Sequence, residues 1–159
     1  MKIVILLLVI CSLNLNTEDI GMEQIRASYR VCSTSKENAE QFYDLTKKAL
    51  RNEAAIYKGY HGAALALKAS FSWNPISKLS YFNKGKKMIE HAIKLDPDNV
   101  ELRMIRVSIQ SNVPKVIGYY ENIEEDKNFI LDNVSTITSS SLKEYIQGFI
   151  EYSEVFSKS

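Results

Sequence analysis

The sequence predicts an all-α protein of about seven antiparallel helices, and three observations carry that expectation. The 159 residues hold only 6 Gly and 3 Pro, too few turn-formers for many short strands. Apolar residues recur at the three-and-four spacing of a helix face in one segment after another. Between those segments stand residues that start helices. Thr34 with Glu37, Asp98 with Glu101, Asn122 with Glu125 and Ser141 with Glu144 each have an oxygen side chain followed three positions on by a glutamate. In that pattern the first side chain accepts the N3 amide and the glutamate reaches back. Asn74-Pro75 is a cap followed by a proline, whose missing N–H costs nothing in a first helical turn.

Each helix can be justified in order. Over 36–51, Ala39, Phe42, Tyr43, Thr46, Ala49 and Leu50 share a face. Over 54–70 the face is Ile56, Gly59, Tyr60, Ala63, Ala66, Leu67 and Ser70, with Lys58, His61 and Lys68 turned to solvent. Over 80–95 it is Phe82, Gly85, Met88, Ile89, Ala92 and Ile93, with Lys87, Glu90, His91 and Lys94 opposite. Leu102, Ile105 and Ile109, then Phe129 and Ile130, continue the pattern. Leu142, Tyr145, Ile146, Phe149, Ile150 and Phe156 mark a last amphipathic helix. Sustained period-two alternation bounded by turn residues is not seen, so no strands are expected.

The first segment reads as an address. Lys2 precedes eleven mostly apolar residues, Ile3 to Leu13. As a helix they would rise about 16 Å, half a bilayer core, which suits a secretory signal peptide better than a membrane span. Residues 1–16 are therefore expected to be a leader, without a clear cleavage site, and 17–159 an exported helical domain, periplasmic or secreted. Lipidation at Cys11 is disfavoured because Ile10, not a small residue, precedes it. Removal of the leader leaves Cys32 alone, so the domain must be held by its core, and about 140 residues suffice for that.

Residues 85–99, Gly-Lys-Lys-Met-Ile-Glu-His-Ala-Ile-Lys-Leu-Asp-Pro-Asp-Asn, resemble the second half of a tetratricopeptide repeat and its linker. Gly85, Ile89, Ala92 and Pro97 stand at the family's spacings, with Ile89 in place of an aromatic, and Gly59 and Ala63 are the matching small positions of the partner helix. The resemblance covers about forty residues. It departs from the family in a connection through Phe71–Pro75 that is about ten residues too long, and in showing no second copy at the family period. It implies helical hairpins and a role in binding proteins or peptides. The segment 101–131 also resembles part of an uncharacterised family of exported bacterial proteins, which implies no function.

Chemistry is sparse. His61 and His91 are the only histidines, lie on expected solvent faces and lack the spacing of metal ligands. Cys32 beside Val31 reads as a small packed hydrophobe. The acids Glu121, Glu124, Glu125 and Asp126 suit the positive end of a helix dipole, without the glycine turn of a calcium loop. No phosphate loop, nucleophile elbow or catalytic carboxylate pair is present. A non-catalytic binding module is therefore expected, with no metal and no cofactor.

Charge and aromatics mark where a partner would sit. The chain carries 20 basic and 19 acidic side chains, a net +1, too balanced for a dedicated nucleic-acid binder. Residues 47–94 hold ten basic side chains against Glu53 and Glu90, a net +8. Lys84, Lys87 and Lys94 share the outer half of one helix and would steer an acidic protein or peptide. Tyr57 and Tyr60, with Tyr119-Tyr120, could line a groove. The rival expectations are a small-ligand carrier or enzyme with a tyrosine-lined site inside the bundle, or a structural subunit of an envelope assembly.

Overall fold

The computed structural model describes residues 20–157, and within them the chain is all-helical. The helices are α1 (Met22–Val31), α2 (Lys36–Ala49), α3 (Ala55–Ser70), α4 (Pro75–Leu95), α5 (Val100–Asn112), α6 (Ile123–Asn133), α7 (Ser140–Tyr152) and the single turn α8 (Glu154–Ser157). Short 3-10 turns at Lys115–Ile117 and Val134–Thr136 bridge α5 to α6 and α6 to α7. The expected leader, 1–16 with Cys11, lies outside the described residues.

The caps fall close to their expected places, with informative shifts. Asn74 Oδ1 accepts from the amides of Ile76 and Ser77 at 2.9 and 3.2 Å, with Pro75 opening α4. At α2 the cap is Ser35, which accepts from the Asn38 amide at 3.1 Å, and not Thr34. Thr34 instead closes α1 by donating to the Val31 carbonyl at 2.7 Å. Asn99 replaces Asp98 at α5, and Ser139 replaces Ser141 at α7. Asn122 occupies the cap position of α6 without a side-chain cap bond; its Oδ1 accepts from Gln110 Nε2 at 3.3 Å instead. Adjacent residues with equally competent oxygens make such one- or two-residue shifts easy.

Helix α3 is the centre of the molecule. It lies antiparallel against α4 and also packs on α2 and α5, so it is buried nearly all round. Tyr57, His61, Ala64, Leu65 and Ala69 are buried together with Gly59, Tyr60, Ala63 and Ala66 of the expected face, whereas Ile56 and Leu67 are half-buried and Ser70 is exposed. That corrects the one-sided reading of 54–70, which placed His61 in solvent. Two glycines set the α3–α4 distance. A Cβ on Gly85 would lie 2.5 Å from the Gly62 carbonyl oxygen and 2.8 Å from the Ala66 amide nitrogen. A Cβ on Gly62 would lie 2.9 Å from the Gly85 carbonyl oxygen. Backbone approaches backbone there, which only glycine permits.

Around this pair a continuous core forms. Tyr60 stands edge-on to Tyr29 (5.3 Å) and Phe42 (6.3 Å), joining α1, α2 and α3. Leu102, Ile105, Ile130 and Ile146 extend the cluster to α5, α6 and α7, and Phe149 and Phe156 pack against it. The chain turns from α5 toward α6 at Gly118, whose φ of 67° is left-handed and suits glycine.

Candidate functional site

Helices α1, α3, α5 and α7 do not close completely. They leave a half-open groove of about 850 Å³. Leu67 of α3, Ile109 of α5 and Phe149 of α7 supply apolar wall. Tyr29 and Tyr145 supply aromatic wall, and Tyr152, well exposed, stands at the rim. Among the lining residues the single charged side chain is Arg30, whose guanidinium lies 4.9 Å over the Tyr145 ring. Gly148 also faces the groove, and a Cβ there would meet nothing within 4 Å. The site therefore offers apolar and aromatic area, a few hydroxyls and one cation, with no carboxylate to repel an anion.

The groove is held in shape by polar contacts beneath it. Tyr29 donates to Ser108 Oγ at 3.0 Å, tying α1 to α5. Glu101 is buried, accepting from Arg26 Nε and Nη2 at 2.7 and 2.9 Å and from the Tyr60 hydroxyl at 2.5 Å. The paired carboxylate pushes the Arg26 pKa upward, while burial, then the Glu101 charge, pushes that of Tyr60 upward. Burial raises Tyr145 to about 12, so its hydroxyl stays protonated and can donate. Cys32 packs at the groove with its thiol 3.0 Å from the Tyr29 carbonyl oxygen, and burial pushes it up to about 12. A thiol so held is a poor nucleophile.

A second buried network braces the far side. Asp126, 0 % exposed, accepts from Arg106 Nε and Nη2 at 2.6 and 2.7 Å and from Arg103 Nη1 at 2.9 Å. Arg106 also donates to Glu90 at 2.9 Å, and the Tyr119 hydroxyl donates to the same carboxylate at 2.7 Å. Glu124, Glu125 and Asp126 stand in the first turn of α6 as the helix dipole favours, and Asp126 has a further role the sequence did not signal, neutralising a buried arginine. Glu101, by contrast, leaves its expected capping role for the core, where it meets Arg26 and Tyr60.

The residues expected to meet a partner separate into two groups. Lys84, Lys87 and Lys94 are exposed on the outer face of α4, within about 80° of one another at 100° per residue. Tyr57 and Tyr60 are not available to a groove. Tyr57 is buried, and Tyr60 is 0 % exposed with its hydroxyl committed to Glu101. Tyr119 is buried and Tyr120 exposed. His61 is buried, its Nδ1 3.0 Å from Thr46 Oγ1, whereas His91 is exposed. Among the described residues no three His, Cys, Asp or Glu side chains cluster as a metal site would require, and no helix is long and apolar enough to cross a membrane. Sequence reasoning did not single out Arg30, Gly148 or Tyr152. The one available hint was Gly148, a glycine inside an otherwise strongly amphipathic helix.

Comparison with protein-family models, with curated proteins and with solved structures finds no match.

Proposed function

We propose that the chain is an exported, non-catalytic binding module built of tetratricopeptide-like helical hairpins, and that its ligand is an apolar peptide segment carrying a carboxylate. The groove carries this reading. Its aromatic and aliphatic walls suit apolar side chains, and Arg30, with no acidic neighbour among the lining residues, suits a carboxylate at the end or flank of the segment. The short apolar run after Lys2 supports export.

A second reading has its own support. A volume of about 850 Å³ is within the usual range for small-molecule sites, so a small apolar acid could seat in the same groove as a carried ligand. Thermal-shift titration with apolar peptides bearing free or amidated C-termini, and with fatty and aromatic acids, separates the two. A ligand that binds only the native form raises the melting temperature. Free-acid peptides are expected to raise it, amidated ones to do so less. Gly148→Phe projects a ring into the groove from a position where a Cβ meets nothing within 4 Å, and is expected to abolish the effect while unchanged circular dichroism shows the domain folded. Peptide binding that Gly148→Phe leaves unchanged would remove the groove from the account.

A further inference from the structure

The outer face of α4 carries a second, different surface. Its N-terminal end and the loop before it expose three large apolar side chains, Trp73 at 91 %, Ile76 at 81 % and Leu79 at 56 %. Trp73 is the sole tryptophan of the chain. These residues stand at the turn of the α3–α4 hairpin and over the first turns of α4. At 100° per residue Ile76 and Lys94 fall on the line opposite Gly85, the residue that touches α3. Leu79, Lys84 and Lys87 fall beside that line, within a stripe of about 140° that runs about 27 Å along the helix. Apolar groups thus occupy one end of the stripe and lysines the rest.

Charge decides what this stripe fits. From residue 54 through residue 89 the chain has no Asp or Glu, while it has six lysines. Glu90, the one acid within the stripe, is already engaged by Arg106 and Tyr119. Lys68 is paired with Glu40 at 2.6 Å, but Lys84, Lys87 and Lys94 are exposed. An amphipathic helix face with lysines and a protruding tryptophan matches the interfacial zone of a bilayer, where aromatic rings sit at headgroup level and lysines meet phosphates.

The geometry points to an anionic lipid surface as the occupant: α4 lies flat on it, Trp73, Ile76 and Leu79 enter the headgroup–acyl boundary, and Lys84, Lys87 and Lys94 pair with headgroup phosphates. A lipid surface is favoured over an acidic protein because three large apolar side chains stand exposed at one end of a lysine stripe, the arrangement an interfacial helix presents to an anionic bilayer. This surface is separate from the groove between α1, α3, α5 and α7, so it would hold a binding module against a membrane with its groove free.

Trp73 reports its own environment, so the experiment reads its emission in the full chain. Vesicles of phosphatidylcholine mixed with phosphatidylglycerol are expected to shift it to the blue, and lipids brominated near the headgroup end of the acyl chain to quench it. Pure phosphatidylcholine should do neither, and added salt should weaken both effects. Changing Lys84, Lys87 and Lys94 together to glutamate should lower partitioning by about a hundredfold or more, each lysine near such a surface counting for roughly fivefold. Ile76→Ser with Leu79→Ser should reduce the shift while leaving the lysines intact. All five positions are exposed, and unchanged circular dichroism would confirm that the variants fold. The inference is overturned if the chain sediments with anionic vesicles while Trp73 emission stays unshifted, because attachment then lies elsewhere. It is equally overturned if the triple reversal shifts like wild type, or if only an acidic polyglutamate peptide moves the emission.

Discussion

Replacing Gly85 by alanine sets two opposed effects against each other. In a helix interior alanine is favoured over glycine by about 1 kcal/mol, because glycine loses more backbone freedom on folding. At position 85 the new Cβ would stand 2.5 Å from the Gly62 carbonyl oxygen and 2.8 Å from the Ala66 amide nitrogen. Ordinary van der Waals contact needs about 3.5 Å or more. The obstacles are backbone atoms, so no rotamer change relieves the overlap, and α3 and α4 must move apart by roughly 0.5–1 Å. A gap of that size forfeits about a quarter to a half of each dispersion contact along the line. Overpacking of this kind typically costs about 1–3 kcal/mol beyond any gain. The expected net loss is about 2 kcal/mol, read as a lower urea midpoint at unchanged slope. Gly148→Ala is the internal control. It is also a glycine inside a helix, but its Cβ meets nothing within 4 Å, so propensity acts alone and stability should rise by about 0.5–1 kcal/mol. Opposite signs at the two sites are the result expected. A stabilising Gly85→Ala would refute the close backbone approach.

Asp126→Asn leaves Arg106 buried with only Glu90 to compensate it, and should cost about 3 kcal/mol in a urea titration, part of which Arg106→Met in the same chain should restore; a loss under about 1 kcal/mol would contradict the network. Burial, and then the charge of Lys47, lower the His61 pKa below its ordinary value, so the unfolded chain takes up that proton first as pH falls. The contribution of His61 is whole above about pH 6.5, declines below it down to the lowered native value, and should flatten in His61→Gln when melting is followed from pH 8 to 5. In a Cys11→Ser background, Cys32 should react with an aromatic disulfide reagent only slowly in buffer and quickly in denaturant, because its thiol is buried and pushed up to about 12; fast labelling of the native chain would place it at the surface.

Helix existence was legible because it rests on local signals. The stripe Phe82, Gly85, Met88, Ile89, Ala92 and Ile93 turns inward in α4, and Asn74-Pro75 starts it. Helix α3 shows where local reading stops. Lys58, His61 and Lys68 looked like a solvent face, yet Lys58 reaches out to the Glu53 carbonyl, Lys68 to Glu40, and His61 stays under Tyr43 and beside Thr46. Long cationic stems can leave a crowded face that a periodicity rule counts as exposed. The buried polar residues were illegible for another reason. Glu101 finds Arg26 75 positions away, and Asp126 finds Arg106 20 positions away, so neither sequence neighbourhood signals the pairing. The groove shares that property. Its walls come from four helices spread from Tyr29 to Ser153, and no one of them betrays the gap the others leave. Tyr57 and Tyr60 carried the right residue type for such a site but are buried. Tyr60 shares the α3 face of Ala63 and Leu67 yet lies beneath Tyr29 with its hydroxyl on Glu101, while Tyr29, Tyr145 and Tyr152 supply the rings that line the groove.

Site-specific photo-crosslinking tests the groove most directly as the binding site. A benzophenone amino acid in place of Tyr152, at the groove rim, and another in place of Lys87, on the outer face of α4, would be compared in full chains irradiated with a biotin-tagged, apolar free-acid peptide. The account predicts a crosslink from position 152 that disappears in the Gly148→Phe chain and weakens in Arg30→Glu, with none from position 87. Peptide crosslinked from position 87, or from position 152 regardless of Gly148→Phe, would contradict it.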